Sequence, residues 1–349
     1  MKSADICQLL DKIKFYSLYS QVSKFKMTPK TQSFWHRLAK PIMILAPMED
    51  VTDTVFRRII ADCGRPDVMF TEFTNCEGAQ SVGQAQVVKR LKYTEIERPL
   101  VAQIWGVTPE DYYKTAVLIR GLGFDGIDIN MGCPVRKIIK QGACSALIKN
   151  PSLAKEIVEA TKEGAGELPL SIKTRIGFSS IQTEEWLGFI LRECRPEVLT
   201  VHGRTVKEAS KVPNHWDEIG KVASLNRELG GQTLIVGNGD VKTLVQARDL
   251  AAEYGLDGIM IGRGILDNPW LFNPKIDLLE ITLRQKIETL KTHLRLFDEV
   301  WGQEKNFSLM KKYYKIYING FAGAADIRAK LMECDTVAET LAELEKIEV

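Results

Sequence analysis

The sequence is poor in the residues that build metal sites and disulfide frameworks. Its 349 residues include only four histidines and seven cysteines, no two cysteines form a C-x-x-C pair, and the histidines lack metal-ligand spacing. Disulfide scaffolds are usually small and cysteine-dense, whereas structural zinc sites use closely spaced Cys and His. The pattern indicates reduced cysteines, no metal ion and a cytoplasmic location.

Long apolar runs and strong net charge are also missing. No segment approaches the roughly 20 apolar residues of a membrane span, and the N-terminus lacks the apolar core of a secretory signal. The formal net charge is only +2, so a polyanionic partner must be met by a local basic patch. Hydrophobic and charged fractions of 45% and 26% are typical of a soluble globular protein.

A regular alternation of strand-like and helix-like segments runs through the middle of the chain. Between eight short apolar runs lie amphipathic stretches, a pattern typical of a parallel sheet. Eight such units predict a TIM (β/α)8 barrel. The alternative, an open doubly wound sheet, lacks its G-x-G-x-x-G fingerprint after the first strand. The predicted strands lie at residues 42–47, 68–73, 100–106, 126–130, 170–177, 198–203, 233–239 and 258–264.

Three regions follow from composition. Residues 1–40 carry eight Lys or Arg against two Asp. They are a solvated extension, a basic arm for a polyanion, or a stretch before the true start of translation, since Met27 and Met43 lie downstream. Residues 41–274 form the predicted barrel. Residues 275–349 read as a small helical domain whose middle is basic and aromatic.

Polar side chains interrupt the predicted strands near their C-terminal ends. Catalytic residues of TIM barrels lie at this rim, and a phosphate commonly binds after the seventh and eighth strands. Several polar groups on one rim therefore predict a large polar, phosphate-bearing ligand. The set comprises Pro47, Met48, Gln103, Asn130, Lys173, Arg175, His202, Arg204, Asn238, Gly239, Asp240, Gly262 and Arg263.

Seven short motifs occur in order and together resemble the tRNA-dihydrouridine synthases. The resemblance runs from about residue 42 to the C-terminus and is greatest for the bacterial branch often labelled B. It implies an FMN enzyme that uses NADPH to reduce the C5=C6 bond of specific tRNA uridines. The motifs are "LAPMEDVTDTVFR", "AQIWG", "DINMGCP", "IKTRIG", "TVHGRT", "VGNGD" and "IGRG".

The resemblance also implies roles for individual residues in a monomeric, membrane-independent enzyme. Asn130, Arg175 and Arg204 would bind the substrate at the rim, and Lys311, Lys312 and Arg328 would bind tRNA from the helical domain. The flavin would be bound by Pro47, Met48, Glu49, Gln103, Lys173, His202, Asn238, Gly239, Asp240, Gly262 and Arg263.

Cys133 receives the catalytic role by the same resemblance. Hydride would pass from flavin N5 to uracil C6, and C5 would then need a proton. A thiol with an ordinary pKa near 8.5 is mostly protonated at pH 7, so we expect Cys133 to donate as the neutral thiol.

Two features depart from the family pattern. Cys144 replaces a glycine, which would strain the backbone wherever φ is positive. Glu49 and Asp50 add negative charge to the first loop, where smaller neutral residues are common.

Two other functions are compatible with the sequence. The chain could be a barrel flavoenzyme that acts on a free pyrimidine, like the dihydroorotate dehydrogenases, or an RNA-binding protein that has lost catalysis. The basic helical tail argues against the first, and Cys133 together with Lys173 and His202 argues against the second.

Overall fold

The computed structural model describes residues 33–276 and 280–347. The chain divides into two units between residues 37 and 38, and only residues 33–37 of the first unit are described. The described part of the first unit contains a 3₁₀-helix, Phe34–Arg37, in which the rings of Phe34 and Trp35 stack with centroids 4.7 Å apart. Most of the extension predicted over residues 1–40 lies outside the described residues.

The second unit is built on a closed parallel barrel. Pairing of β2 with β4 closes a ring of eight strands, and the short β3 pairs only with β4 outside that ring. The strands are β1 Ile42–Leu45, β2 Val68–Phe70, β3 Thr74–Asn75, β4 Leu100–Trp105, β5 Gly126–Met131, β6 Leu170–Arg175, β7 Val198–His202, β8 Leu234–Asn238 and β9 Gly258–Ile261.

This topology confirms the TIM barrel and rules out the open sheet. Each of the eight predicted apolar runs overlaps one barrel strand, because residues buried on both faces of a parallel sheet are apolar almost without interruption. The two-residue β3 was missed, since it is too short to show any periodicity.

Helices surround the barrel and follow its strands along the chain. Asp53, Asn150, Thr243 and Thr282 cap their helices by accepting a backbone N–H, the usual role of these side chains. The α-helices of the described residues are α1 Thr54–Cys63, α2 Cys76–Ala79, α3 Gln84–Val87, α4 Pro109–Gly121, α5 Arg136–Lys140, α6 Pro151–Ala165, α7 Trp216–Glu228, α8 Leu244–Tyr254, α9 Leu283–Trp301, α10 Ser308–Lys311, α11 Tyr314–Tyr317, α12 Ala324–Glu333 and α13 Val337–Glu345.

Short 3₁₀- and π-helical turns lie in the segments that connect the strands and α-helices. The wider turns, of π type, are Thr183–Leu187 and Ile190–Cys194. The 3₁₀ turns of the second unit include Val88–Leu91, Glu95–Glu97, Cys144–Lys149, Arg263–Leu266 and Gly302–Glu304. No helix in residues 33–276 or 280–347 has the length and apolar character required to cross a membrane.

The C-terminal helices pack against the first helix of the barrel. The Trp301 indole N–H donates to Asp53 Oδ2 over 2.8 Å, and Lys305 Nζ lies 2.9 Å from the same oxygen. The Tyr313 ring stacks on Phe56 at 5.3 Å between centroids. The helical region and the barrel therefore share one packed unit, and a domain boundary at residues 274 and 275 stays a prediction.

A buried ion pair supports the loop after β1. Arg57 and Glu97 are fully buried, with Arg57 Nε 2.6 Å from Glu97 Oε2. Arg57 Nη1 also donates to the Thr52 carbonyl over 2.5 Å, and the Thr52 hydroxyl accepts the Met48 N–H. This chain of contacts connects the pair to the first loop.

We expect Arg57→Met to lower the free energy of unfolding by about 3–5 kcal/mol, because it leaves the Glu97 carboxylate buried without its counter-ion. Urea unfolding followed by circular dichroism measures the change. The matched control is Lys155→Met, which removes an exposed ion pair with Glu193 and should change little. An equal change in the free energy of unfolding for Arg57→Met and Lys155→Met would contradict the stabilising role of the buried ion pair.

Candidate active site

Asn238 connects three neighbouring strand ends at the rim of the barrel. Its Oδ1 accepts from Lys173 Nζ and lies against His202 Nδ1, each over 3.0 Å. Its Nδ2 donates to the Met260 carbonyl over 2.8 Å. The strands β6, β7, β8 and β9 thus bring the predicted Lys173, His202 and Asn238 together.

A second buried network connects side chains of β4, β5 and β6. Gln103 Nε2 donates to Asp128 over 2.7 Å, and its Oε1 accepts from Asn130 Nδ2 over 3.0 Å. Ser171 Oγ donates to the other Asp128 oxygen over 2.6 Å. Burial raises the pKa of Asp128 to about 6, against hydrogen bonds from Ser171 and Gln103 that lower it.

Asp128 was not among the predicted site residues. The sequence feature that points to it is an acidic residue inside the apolar run "GIDIN". A fully buried carboxyl needs hydrogen-bond partners, so such a residue indicates a buried polar network. In the structure it orients the Gln103 amide, and Gln103 in turn holds Asn130. These three residues therefore form a connected support for the turn that follows β5.

The turn that carries Cys133 is held at several points. Asn130 Oδ1 accepts the N–H groups of both Gly132 and Cys133 at 3.0 Å, as Asn does in tight turns. Arg175 Nε donates to the Gly132 carbonyl over 2.7 Å, and Ser145 Oγ donates to the Cys133 carbonyl over 2.7 Å. Because the backbone is fixed, the half-buried thiol is presented in a defined direction.

The environment of Cys133 changes its acidity. The pKa of Cys133 is lowered to about 6, mainly by a hydrogen bond with the Cys144 thiol. Burial raises this pKa, whereas the Val135 N–H and the positive charge of Arg175 lower it further. This differs from the expected ordinary thiol. At pH 7 the thiolate is therefore favoured over the neutral thiol.

Cys144 is both buried and strained. Its φ of 53° lies in the left-handed region, where a side chain costs roughly 1–2 kcal/mol that glycine avoids. The expected strain at this departure from the family pattern is therefore present. The contact with Cys133 gives the unusual side chain a chemical consequence.

We expect Cys144→Ala to raise the pKa of Cys133 toward that of an ordinary thiol, because alanine keeps the Cβ and removes the hydrogen-bonding sulfur. The thiolate absorbance of Cys133, followed during a pH titration, measures this shift. Cys144→Gly relieves the φ strain as well, so agreement between the two variants assigns the shift to the sulfur. An unchanged pKa in both would contradict the role of Cys144.

Charged groups after β7, β8 and β9 gather around Asp240. Arg263 Nη2 lies 2.9 Å from Asp240 Oδ1, and Arg204 donates to the other carboxylate oxygen. A carboxylate repels a phosphate, so Asp240 is suited to orient the two guanidinium groups and less suited to contact an anion directly. Arg204, predicted on the substrate side, is connected here to residues of the predicted phosphate site.

Several buried polar atoms at this end of the site have no protein partner. They are His202 Nε2, Arg204 Nη1 and both amide atoms of Asn214. A Cβ on Gly239 would lie within 2.4 Å of the Asn214 amide, so only glycine allows this close packing. Unpaired buried polar groups cost about 1–3 kcal/mol each. Arg204 Nη1 and Asn214 Nδ2 can donate to ligand oxygens, whereas Asn214 Oδ1 and His202 Nε2, with the ring proton on the Nδ1 that faces Asn238 Oδ1, can accept from ligand N–H or O–H groups. The residues thus fit a ligand that offers both phosphate oxygens and hydrogen-bond donors, as a flavin mononucleotide does.

Burial also sets the charge states at the rim. It lowers the pKa of Lys173 to about 8, with repulsion from Arg175 adding to the effect, and it lowers the pKa of Arg175 to about 10. Burial, with nearby Arg175 and Lys173, holds the pKa of His202 well below its usual range. At neutral pH Lys173 and Arg175 therefore stay cationic, and the His202 imidazole is neutral.

The first loop is fixed from both sides. Glu49 pairs with Arg90 at 2.6 Å, and Asp50, with φ of 58°, donates its N–H to Glu72 over 2.9 Å.

Lys312 donates to the Asp50 carbonyl, and the Tyr313 hydroxyl donates to the Val51 carbonyl over 3.0 Å. Pro47 is buried and Met48 half-buried where this loop leaves β1. The predicted tRNA contact Lys312 thus lies at the junction between the helical region and the first loop.

The other two predicted tRNA contacts also have intramolecular partners. Lys311 Nζ donates to the Met332 carbonyl over 2.8 Å, and Arg328 donates to the Ile318 carbonyl over 2.6 Å. Their predicted role in binding tRNA stays a prediction.

Comparison with known proteins places the chain in a family. Residues 44–349 match the family described as dihydrouridine synthase (Dus). A "Probable tRNA-dihydrouridine synthase" of Staphylococcus aureus (strain MRSA252) is 42% identical over 321 residues, which cover 91% of this chain and 96% of the relative. "Probable tRNA-dihydrouridine synthase 2" of Bacillus subtilis (strain 168) is 42% identical over 323 residues, covering 91% and 97%.

A solved structure supports the barrel fold alone. The 6-hydroxypseudooxynicotine amine oxidase of Pseudomonas geniculata N1 superposes with a TM-score of 0.50 at 13% identity, covering 66% of this chain and 46% of that chain. The family match and the two relatives, in contrast, extend through both the barrel and the C-terminal helices. The chain therefore belongs to the dihydrouridine synthase family, whose members are NAD(P)H-dependent flavin oxidoreductases that modify tRNA.

Proposed function

We propose that this chain binds FMN, takes its electrons from NADPH, and uses Cys133 to protonate C5 of a tRNA uridine. The observation that carries the proposal is the arrangement of Lys173, His202 and Asn238 around one amide oxygen, on the same rim as the fixed Cys133 turn. A cationic, partly buried rim with unpartnered polar atoms suits an anionic ligand.

The residues of the phosphate end would hold the cofactor. Arg204 and Arg263, oriented by Asp240, supply positive charge, and the Asn214 amide beside Gly239 supplies free hydrogen-bonding atoms. Lys173 supplies a fixed positive charge at the centre of the rim. Bound FMN supplies the hydride that the reduction of uracil requires at C6.

Cys133 supplies the other half of the reduction. A hydride at C6 and a proton at C5 together saturate the C5=C6 bond, and the thiol that gives its proton becomes a thiolate. Because the pKa of Cys133 is about 6 in the free protein, the thiol must first gain a proton. Covering Cys133 with a bound uracil excludes water and raises the thiol pKa, which favours that protonation.

The target base must leave the tRNA stack to reach this rim. Enzymes that do chemistry on a base take it out into a pocket and bind the surrounding nucleic acid through its phosphates. Such a tRNA enzyme acts in the cytoplasm, and we expect a monomer with a helical domain from residue 275 onward.

The decisive experiment restores dihydrouridine in cells that lack their own synthases. Expression of this chain should produce dihydrouridine at defined tRNA positions, measured by mass spectrometry of tRNA fragments. The purified protein should be yellow and release FMN on denaturation. Absence of dihydrouridine from every position, or a colourless protein that takes up no FMN, would overturn the proposal.

A further inference from the structure

The segment between β5 and α6 is basic and contains no acidic residue. Residues 131–149, called the basic segment below, include four Lys or Arg and no Asp or Glu. Three of these cations lie on α5, which begins three residues after Cys133. The fourth, Lys149, lies over the Phe178 ring at 3.6 Å.

The three cations of α5 are exposed and have no partner within the described residues. Arg136, Lys137 and Lys140 make no hydrogen bond or ion pair there, whereas Lys311, Lys312 and Arg328 are each engaged with a backbone carbonyl. On a helix, positions 136 and 140 lie one turn apart on the same side. Clustered like charges repel one another, so their free state favours an anionic partner.

The base of the basic segment is rigidly connected to the catalytic turn. Asn130 and Arg175 hold the backbone before Cys133, and Ser145 Oγ joins the far end of the segment to the Cys133 carbonyl. The cations therefore lie at a set position relative to the thiol. Val135, 52% exposed between Cys133 and α5, adds an apolar contact beside them.

We propose that Arg136, Lys137 and Lys140 bind the tRNA phosphates next to the target uridine and so hold the flipped base over Cys133. The proposal rests on the proposed function of the rim. A row of three exposed cations fits successive phosphates of a polynucleotide. Arg204 and Arg263, in contrast, are paired with Asp240 inside the rim, where the proposed function gives them the single phosphate of the cofactor. Phosphate contacts of this kind position a nucleic acid without reading its sequence.

The test compares Arg136→Gln/Lys140→Gln with the wild type. The tRNA Kd should rise about tenfold near 0.1 M salt, and the slope of log K against log salt should become shallower by about 1.5, as expected for two lost phosphate contacts. Unmodified tRNA transcript is the probe, and filter binding at several salt concentrations is the measurement. FMN content and NADPH oxidation by oxygen without tRNA should not change.

Two controls distinguish the loss of positive charge near Cys133 from the loss of positive charge elsewhere on the surface. Arg192→Gln/Arg248→Gln removes two exposed cations from elements on the outside of the barrel and should leave the Kd and the slope unchanged. Arg136→Lys/Lys140→Arg keeps both charges and should bind tRNA like the wild type.

Three outcomes would overturn the inference. They are an unchanged salt slope in Arg136→Gln/Lys140→Gln, an equal loss in the Arg192/Arg248 control, and a raised KM for NADPH with normal tRNA binding, which would make the dinucleotide the ligand. Wild-type dihydrouridine formation is measured in parallel. If the wild type makes dihydrouridine and Arg136→Gln/Lys140→Gln still binds tRNA normally, only this inference is refuted. If the wild type makes no dihydrouridine, the proposed function is refuted.

Discussion

Replacing Cys133 with alanine is expected to lower the rate of uridine reduction by about 10²- to 10⁴-fold, the usual contribution of a positioned general acid. Under the proposed function, the substitution removes the thiol that would protonate C5. It leaves Lys173, His202 and Asn238 in place, so FMN content and NADPH oxidation without tRNA should stay near wild-type values. Single-turnover reduction of a tRNA transcript, with dihydrouridine measured by mass spectrometry, provides the rate.

The pH dependence adds a second test of the same role. An acid with a pKa of about 6 is increasingly deprotonated as the pH rises through 6, so wild-type kcat/KM should fall with rising pH. In Cys144→Ala the thiol pKa is higher, and the fall should begin at a higher pH. Cys133→Ser keeps the size of the side chain but is a much weaker acid, so it should resemble alanine. A Cys133→Ala enzyme that reduces uridine at a near-normal rate would show that the proton comes from elsewhere.

Lys173→Met is expected to slow reduction of the bound flavin by NADPH by about 10²- to 10³-fold, the range found for loss of one preorganised electrostatic group. Methionine keeps most of the volume and removes the charge next to Asn238 and His202. The affinity for FMN should fall as well, measured by fluorescence of the released flavin. Anaerobic stopped-flow absorbance gives the rate of flavin reduction.

The acidity of Lys173 supplies an internal control. Its pKa of about 8 means that the ammonium loses its proton as the pH rises through 8, so wild-type flavin reduction should slow above that pH. Lys173→Met should show no such fall, and Lys173→Arg should stay charged and keep its rate at high pH. A similar pH profile in all three proteins would contradict the assigned role.

The fold was predictable because its cause is local and repeated. Every barrel strand lies in an apolar run of the sequence, since a strand covered on both faces tolerates few polar residues. Turn and cap residues such as Asn150 and Thr243 mark the helix starts for equally local reasons. The two-residue β3 and the short helical turns were not predictable, because stretches of that length carry no period.

The polar residues of the rim could also be predicted from the sequence, because they interrupt apolar strands near their ends. Their hydrogen-bond partners could not be predicted. The sequence alone does not show that Asn238 accepts from Lys173, or that Asn130 holds the Cys133 turn together with Arg175 and Ser145. These contacts join residues that are 3 to 65 positions apart. The closed barrel brings the distant partners together, whereas the contact of Asn130 with the Cys133 N–H is made within a local turn.

The sequence by itself thus determined the barrel and the polar residues of its rim, since both depend on residue type and order along the chain, and its motifs singled out Cys133 for the proposed role of proton donor. Tertiary structure decided the acidity of that thiol, because the sulfur of Cys144 contacts it from the far end of the same segment. It also decided which cations are free. Lys312 is engaged at the first loop, whereas Arg136 and Lys140 face solvent, a difference of spatial neighbours that charge counts along the chain do not contain.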